Sequence, residues 1–361
     1  KAAISGGKLI GGTATLEGGI IRLQGNATVA ISGGSITGGS SEGKGGNIGM
    51  VSGNLIISGG EILGGASVGN GGNIASSGGQ LTISGGTIVG DVSTSLKNSK
   101  DLTITEGAVI TASGKHGIYN GKELEAANVT VTGAGDLLLS NSGDMVIKTL
   151  KLSGAAQKAI YNAGYAELYS ATVDGAQIRN QTDATAQYLV DINAGVLDLT
   201  DSTIVNAWGT ALHLRAGGAV SATNVIINGA GNYGIFVGGG SKLSGDGLVI
   251  NNVTKNAKVS GAEGIGLKIQ GSVTMMDHLT IGDYDPDVAG SGMELDKSVT
   301  GIHSNNAIVV DAATATFSGY DLTIRNTPNG AAVYNKGTFF VTDLTVTDNK
   351  AGIYTRYNSC M

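Results

Sequence analysis

The chain has 361 residues, Gly 62 and Pro 2, a hydrophobic content of 41% and a formal net charge of -6. Collagen is excluded because it needs glycine at every third position and abundant proline, and regularly placed apolar residues exclude a disordered glycine-rich linker. The mild, evenly spread acidity predicts no nucleic-acid partner, and the single cysteine, Cys360, excludes an internal disulfide framework.

Residues 1–95 contain a regular glycine-rich repeat. Ile-Ser-Gly-Gly occurs at 31–34, 57–60 and 83–86, so each copy lies 26 residues after the last, and Gly-Gly-Asn-Ile at 45–48 and 71–74 keeps the same step. A fixed period of this length indicates a solenoid whose repeats stack on one another. Alternation in Leu81-Thr82-Ile83-Ser84 predicts that Leu81 and Ile83 point into the core. Glycines are expected to supply positive φ at corners and to let turns approach closely.

Residues 96–361 are predicted to continue the same solenoid with irregular coils and loops. Two strand families recur there. The first resembles Leu-Thr-Ile-Thr and begins at Leu102, Val129, Leu150, Val225, Leu248, Leu279, Leu322 and Leu344. The second resembles Gly-Ile-Tyr-Asn and begins at Gly117, Ala159, Gly234, Gly264, Gly301, Ala332 and Gly352. Two strand families and a variable corner in each turn predict an all-β fold, a single-stranded parallel β-helix of about 13 to 14 coils.

Asparagines recur at the ends of these predicted strands. They are Asn47, Asn73, Asn120, Asn162, Asn228, Asn251 and Asn335. Stacked asparagines at the corners of a solenoid satisfy the backbone of the turns with their amides, so we expect amide ladders there and no catalytic role.

The Ile-Ser-Gly-Gly and Gly-Gly-Asn-Ile units, passing into Gly-Ile-Tyr-Asn coils, resemble the right-handed parallel β-helices of the pectin-lyase-like superfamily. Among these they are similar to the repeat regions of bacterial surface adhesins and autotransporter passengers. The resemblance covers essentially the whole chain and implies a right-handed helix in an extracellular or cell-surface setting. Its functional content is small, because this fold carries many unrelated activities.

Aromatic and charged residues are most concentrated between residues 208 and 236. Trp208, His213, Arg215 and Tyr233, with Phe236 beside them, fall within one or two coils of one another. Aromatic rings that reach the surface can stack on sugar rings, so this group is the predicted ligand-binding patch. The alternative is that these rings fill the core or cover a corner.

Three carboxylates are the candidates for catalysis. Asp191, Asp198 and Asp201 precede His213 and Arg215 by about one coil, and two carboxylates about 5 to 10 Å apart could perform glycoside hydrolysis. The motifs of polygalacturonases and of calcium-dependent pectate lyases are not found. Acidic residues also decorate any solenoid surface, and we therefore expect no enzyme activity.

A short acidic segment offers the candidate metal site. Asp283, Asp285 and Asp287, followed by Glu294, place oxygen-bearing side chains at positions resembling those of a calcium loop. Val288 stands where such a loop needs glycine, so the alternative is a solvated acidic turn. We expect no required cofactor, with calcium as the candidate ion.

These observations favour a non-enzymatic bacterial adhesin, on the cell surface or secreted, that binds a host or environmental glycan or protein. The alternatives are a carbohydrate-active enzyme, either a polysaccharide lyase or a glycoside hydrolase, and a passive structural stalk. No apolar run approaches the roughly 20 residues needed to cross a bilayer, so no membrane span is expected. Because the repeat begins almost at residue 1, we expect a piece of a longer protein.

Overall fold

The structure is a computed structural model that describes residues 1–69, 71–90, 94–105, 107–133, 135–155, 157–176, 188–254, 256, 259, 262–282 and 306–355. Within these residues the regular elements are all β-strands, and no helix long and apolar enough to cross a membrane is found. The strands pair in parallel and form a β-solenoid of about 13 turns, which confirms the predicted fold class. The chain divides into two compact units, Lys1–Tyr169 and Ser170–Met361.

The strands are labelled in chain order. The first sixteen are β1 (Ala2–Ala14), β2 (Ile21–Leu23), β3 (Thr28–Ser41), β4 (Ile48–Met50), β5 (Asn54–Leu63), β6 (Ala66–Ser67), β7 (Ile74–Ser76), β8 (Gln80–Val89), β9 (Leu96–Asn98), β10 (Asp101–Ile104), β11 (Val109–Thr111), β12 (His116–Asn120), β13 (Glu123–Thr132), β14 (Leu137–Asn141), β15 (Asp144–Ser153) and β16 (Lys158–Asn162). The others are β17 (Tyr165–Asp174), β18 (Tyr188–Ile192), β19 (Val196–Thr200), β20 (Thr203–Ala207), β21 (Thr210–Leu214), β22 (Ala219–Thr223), β23 (Ile226–Ala230), β24 (Tyr233–Val237), β25 (Lys242–Asp246), β26 (Val249–Val253), β27 (Ile265–Ile269), β28 (Ser272–Ile281), β29 (Ile308–Val310), β30 (Thr316–Asn335) and β31 (Thr338–Thr355).

In the first unit the repeat copies lie directly over one another. Ile31 pairs with Ile57, and Ile57 pairs with Ile83, and each is at most 1% exposed. Each buried side chain of this size stabilises the fold by about 1.5–3 kcal/mol, so this axial stack of aliphatic residues forms the core. Leu81 is buried while Thr82 and Ser84 are partly exposed, as the alternation predicts. The predicted division of the chain at residue 95 stays a prediction.

The second glycine of each repeat copy has both predicted properties. Gly60 has a φ of +84°, which favours glycine, and a Cβ placed on it would lie 2.9 Å from the carbonyl oxygen of Gly34 in the preceding turn. Any side chain would therefore be strained and would also push two turns apart. The Gly-Gly pair thus lets the turns stack closely at the corner that it forms.

Asparagine ladders run through the first unit, as predicted. Asn98 Nδ2 donates to Asn120 Oδ1 at 2.9 Å, Asn120 donates to Asn141 at 2.8 Å, and Asn141 donates to Asn162 at 2.8 Å. All four side chains are fully buried. The amide nitrogens of these four asparagines also donate to backbone carbonyls, as Asn141 Nδ2 does to the carbonyl oxygen of Tyr165 at 2.9 Å. The ladder therefore ties the turns together and satisfies their backbone groups.

A second ladder joins Asn47 to Asn73 at 2.8 Å, again as predicted. The later asparagines behave differently. The side-chain oxygen of Asn228 accepts from Asn252, and not from Asn251, at 2.7 Å. The side-chain oxygen of Asn335 accepts from the amide of Gly337 at 3.0 Å, within its own turn.

In the second unit each of several turns contains three strands, which corrects the prediction of two strand families. β18, β19 and β20 pair with β21, β22 and β23, and these pair in turn with β24, β25 and β26. The middle strand of each turn, such as Val196–Thr200, was missed because its sequence shares no motif from turn to turn. We call the column of β18, β21, β24, β27, β29 and the end of β30 the first strand column.

Two of the predicted alignments were wrong in register. Leu102 pairs with Leu124 in the first part of β13, whereas Val129 lies in the second part of the same strand, which pairs with β11. Ile265 pairs with Tyr233, so Leu267 and not Ile265 lies opposite Ile235. Aligning the glycine-isoleucine pair at 264–265 with the one at 234–235 therefore gave a register that differs by two residues from the observed one.

Candidate functional site

The candidate site lies on the outward face of the first strand column, within the second unit. Outward positions alternate with core residues, so Asp191 pairs laterally with His213, His213 with Phe236, and Phe236 with Lys268. The flanking Leu212 and Leu214 have no exposed surface. Neighbouring strands in a sheet lie about 4.8 Å apart, so these four side chains form a continuous row.

An ion pair begins this row. Asp191 has no exposed surface and accepts two hydrogen bonds from Arg215, from Nε at 2.9 Å and from Nη2 at 2.7 Å. His213 Nδ1 lies 3.1 Å from the same carboxylate. A bidentate guanidinium-carboxylate pair fixes both position and orientation. The Arg215 side chain remains 41% exposed, so the cation of the pair faces the solvent.

Aromatic rings continue the row. His213 stacks on Tyr188 with centroids 4.0 Å apart and on Phe236 with centroids 5.2 Å apart, and Phe236 meets Tyr233 at 5.4 Å in a tilted arrangement. The Arg215 guanidinium lies 5.8 Å from the Tyr188 ring centroid. Burial, followed by the nearby Asp191 charge, raises the pKa of the Tyr188 hydroxyl, which keeps this ring neutral. We call Tyr188, Asp191, His213, Arg215, Tyr233 and Phe236 the aromatic-charge strip.

A network of alternating charges adjoins the strip. Lys268, which is 9% exposed, lies with its Nζ 2.6 Å from Glu263 Oε2, 3.3 Å from the Tyr233 hydroxyl and 3.4 Å from Asp311 Oδ2. Lys336 Nζ lies 2.7 Å from the other oxygen of Asp311. We call Glu263, Lys268, Asp311 and Lys336 the lysine network.

The electrostatics of the network favour its charged form. Burial alone would lower the pKa of Lys268, but the hydrogen bond to Glu263 and the surrounding negative charge raise the pKa overall. Burial would likewise raise the pKa of Asp311, but its hydrogen bond to Lys336 and the charge of Lys268 lower the pKa overall. Burial is also the main cause of the raised pKa of Tyr233. A neutral tyrosine is therefore held against a charged lysine.

Of the four residues of the predicted ligand-binding patch, the structure brings three together in the strip: His213, Arg215 and Tyr233. Trp208 is partly buried in the turn between β20 and β21, and its backbone carbonyl accepts a hydrogen bond from Asn256 at 3.1 Å. It therefore lies outside the first strand column.

The three candidate catalytic carboxylates are placed on different elements. Asp191 lies on β18 in its ion pair, and Asp198 lies on β19, where it pairs laterally with Ser221. Asp201 is exposed in the turn after β19, has a φ of +49° and accepts a hydrogen bond from Asn224 at 3.0 Å. Among the described residues, the arrangement groups Asp191 with a histidine and an arginine.

The predicted calcium ligands Asp283, Asp285, Asp287 and Glu294 lie outside the described residues, so the calcium site stays a prediction. Elsewhere, Asp246, Asp277 and His278 place three ligand atoms within 4.8 Å of one another. His278 Nδ1 lies 2.8 Å from Asp246, and both side chains are more than half exposed. The three side chains lie together because His278 pairs with the two carboxylates on the surface.

Sequence reasoning missed Tyr188 and the lysine network. Lys268 was hidden by the misplaced register at residues 264–265, which put Gly266 and not Lys268 opposite Phe236. Tyr188 lies on a strand with no glycine-isoleucine pair, and no other motif in the sequence marks its place. Asp311 and Lys336 come from turns whose loop lengths differ, and sequence spacing does not bring them together.

Comparisons with known proteins show no closely similar protein. No protein-family model matches the chain, and no curated protein matches it. Among solved structures, the chain is similar to the A-module of a mannuronan C-5 epimerase from Azotobacter vinelandii, with 14% sequence identity and a TM-score of 0.23, over 97% of this chain and 92% of that one. At this level the similarity carries no functional argument.

Proposed function

We propose that this chain is a non-enzymatic β-solenoid that binds glycan. It would form the extended section of a bacterial adhesin that is either secreted or held on the cell surface. The glycan contacts the exposed groups of the aromatic-charge strip, which are the Arg215 guanidinium and the partly exposed rings of Tyr188 and Phe236. The observation that carries this proposal is the stack of Tyr188, His213 and Phe236 beside the Asp191-Arg215 ion pair, all on one face of a rigid sheet.

This arrangement suits a sugar chemically. Pyranose rings present apolar C–H faces that pack on aromatic rings, and their hydroxyl groups pair with charged side chains that both donate and accept. In the strip, the rings are stacked on one another and Arg215 is held by two hydrogen bonds, so few side-chain rotamers have to be frozen on binding. Such preorganisation lowers the entropic cost of association.

The arrangement of carboxylates supports binding without hydrolysis. Glycoside hydrolysis needs two carboxyl groups that flank the scissile bond. Here Asp191 is buried in its ion pair, and Asp198 and Asp201 lie on other elements. A lyase reaction, in which a strip residue such as His213 removes a proton, is the alternative that the experiment below must separate from binding.

The test is to incubate the purified protein with mucins and with plant and bacterial polysaccharides, and to measure retained protein and released reducing or unsaturated ends together. We expect retention without products, and loss of retention in F236A and Y188A. The matched control is Y320A, which removes an exposed tyrosine outside the strip. Release of products that the strip variants abolish would establish the enzyme, and no retention on any polymer would leave the passive stalk.

A further inference from the structure

A cluster of charged side chains in the second unit lies outside the first strand column and belongs to neither the strip nor the lysine network. Asp246 ends β25 and pairs laterally with Asp277 of β28. His278 follows Asp277, and in the next turn Asp321 follows Tyr320, which pairs laterally with Asp277. His278 and Asp321 have φ values of +45° and +50°, at the same corner of successive turns. We call Asp246, Asp277, His278 and Asp321 the histidine-aspartate corner.

His278 has a carboxylate beside each of its two ring nitrogens. Its Nδ1 lies 2.8 Å from Asp246 Oδ1 and 3.5 Å from Asp277 Oδ1, and its Nε2 lies 3.7 Å from Asp321 Oδ2. Asp277 Oδ1 also accepts from the backbone amide of His278 at 3.1 Å, which holds this carboxylate in place. One ligand atom from each of Asp246, Asp277 and His278 therefore lies within 4.8 Å of the other two. The four side chains are 44–58% exposed, so an ion can reach them from solution.

The corner carries more negative charge than His278 can neutralise. Asp246 and Asp277 lie directly opposite each other on neighbouring strands, and like charges in that position destabilise a sheet. Among the described residues, the ion pairs of Asp246, Asp277 and Asp321 are made with His278. Three carboxylates and one imidazolium leave two negative charges, which a divalent cation would compensate.

The surroundings do not supply that compensation. Lys242 lies on the same strand as Asp246, but it begins the strand four residues earlier, roughly 13 Å away. Arg325 lies four residues beyond Asp321, after the corner. In the turn that follows, Asp343 occupies the same corner, with a φ of +56°, and accepts a hydrogen bond from the Tyr320 hydroxyl. It therefore adds a further carboxylate to this side of the solenoid.

We propose that Asp246, Asp277 and His278 bind a transition-metal ion of the zinc type, with His278 Nδ1 and one carboxylate oxygen from each aspartate as its ligands. Asp321 is a positioning residue. It lies at Nε2, where it favours the ring tautomer that carries its proton on Nε2 and leaves Nδ1 free for the metal. A carboxylate beside the second ring nitrogen is the usual partner of a metal-binding histidine.

The donor set selects the kind of ion. An imidazole nitrogen with two carboxylate oxygens suits zinc, cobalt or nickel, whereas calcium takes about six to eight oxygen ligands. Bonds of about 2.0–2.2 Å in a tetrahedral zinc site place neighbouring ligand atoms about 3.3 Å apart. The distances of 2.8 and 3.5 Å from His278 Nδ1 to the two carboxylates lie on either side of that value. Small side-chain rotations are therefore enough to form the site, and water can fill the fourth position.

The proposal is tested by calorimetric titration of the chelator-treated protein with zinc chloride and, separately, with calcium chloride. The hydrogen bond to Asp246 and the charge of Asp277 raise the pKa of His278, so a proton competes with the metal and the titration is made at about pH 7.5. We expect zinc to bind at least about tenfold more tightly than calcium. In histidine ring NMR spectra, zinc should shift one ring signal that is missing in H278N.

Variants of the corner should weaken zinc binding. H278N removes the ring nitrogen and keeps a residue that tolerates a left-handed backbone, and D277N removes a ligand charge. Each should weaken zinc binding at least about tenfold. D321N should weaken it about three- to tenfold, because Nε2 loses the carboxylate that orients the ring.

Two control variants separate this site from general acidity and from the predicted calcium segment. D343N removes a carboxylate at the same corner one turn on, and D285N removes one from the acidic segment; both should bind zinc as the parent protein does. Equal binding of zinc and calcium would overturn the proposal, as would unchanged zinc binding in H278N and D277N. A loss in D343N as large as that in D277N would also overturn it, because zinc would then be attracted by net charge and not held by these ligands.

Discussion

Replacing Arg215 with methionine is expected to destabilise the protein more than replacing Asp191 with asparagine, although Arg215 is the more exposed partner. The Asp191 side chain is 0% exposed and that of Arg215 is 41% exposed. R215M therefore strands the charge of a fully buried carboxylate on the outward face of the sheet, which costs about 3–5 kcal/mol. D191N leaves a guanidinium that water can reach, so the cost is that of lost hydrogen bonds to a charged group, about 2 kcal/mol.

The double variant sharpens this prediction. D191N in the R215M background removes the stranded charge, so the double variant should be about 1–2 kcal/mol more stable than R215M alone. A second substitution that restores stability is the signature of a buried carboxylate held by its arginine. His213, which lies 3.1 Å from the same carboxylate, is present in all three variants.

The measurement is urea unfolding followed by the fluorescence of Trp208, the single tryptophan of the chain. Trp208 lies in the turn before β21, so its signal reports the unit that holds the strip. K242M is the control, because Lys242 is exposed on β25 and its loss should change stability by no more than about 0.5 kcal/mol. The reasoning is refuted if R215M is no less stable than K242M, or if the double variant is no more stable than R215M.

Three further predictions follow from other contacts. N141A should lower the free energy of unfolding by about 3 kcal/mol, because the carbonyl oxygens of Gly143 and Tyr165 lose a buried donor. S142A, at the adjacent exposed position, should leave it unchanged. Both are measured by urea unfolding followed by far-UV circular dichroism. G60A should lower the free energy of unfolding by about 2 kcal/mol, because position 60 has a positive φ and the added Cβ would contact Gly34. G6A should have no such effect, since nothing lies within 4 Å of the added Cβ. Equal melting temperatures of the two variants would contradict this. The pKa values of Lys268 and Tyr233 are raised in the folded state, so their stabilisation is present below the unfolded values of about 10.4 and 10 and is lost as pH rises through the folded ones. The melting temperature followed by Trp208 should therefore fall above about pH 10, and a smaller fall is expected in K268M.

The architecture could be predicted because equivalent positions in successive turns of a solenoid need the same type of residue, so the sequence repeats with the period of one turn. Ile31, Ile57 and Ile83 share one position in successive turns, and each must be apolar to fill the same axial stack. The Asn47-Asn73 ladder follows from the same logic, since an amide stacks best on an identical amide. The middle strands were missed because their core positions accept any aliphatic residue, so Leu197 and Val220 pair without a shared motif.

The site could be predicted only in part, because it depends on register and on partners from several turns. His213, Arg215 and Tyr233 were found because they are close in sequence as well as in space. Lys268 was not, since its place opposite Phe236 is decided by which residues enter the core, Leu267 and Ile269, and not by the nearby glycine. The loops between turns differ in length, so the residues that meet across turns cannot be paired by counting.

The central claim is that the aromatic-charge strip binds glycan without changing it. The most direct test is titration of the protein with an oligosaccharide prepared from whichever polymer retains it, comparing the parent protein with F236A and with the control Y320A, and analysing the recovered oligosaccharide by mass. The account predicts that F236A binds about tenfold or more weakly, since it loses a ring stacked on His213 and packed against Tyr233, that Y320A is unchanged, and that the oligosaccharide is recovered intact. Equal affinity of all three proteins, or a shortened or unsaturated oligosaccharide, would contradict it.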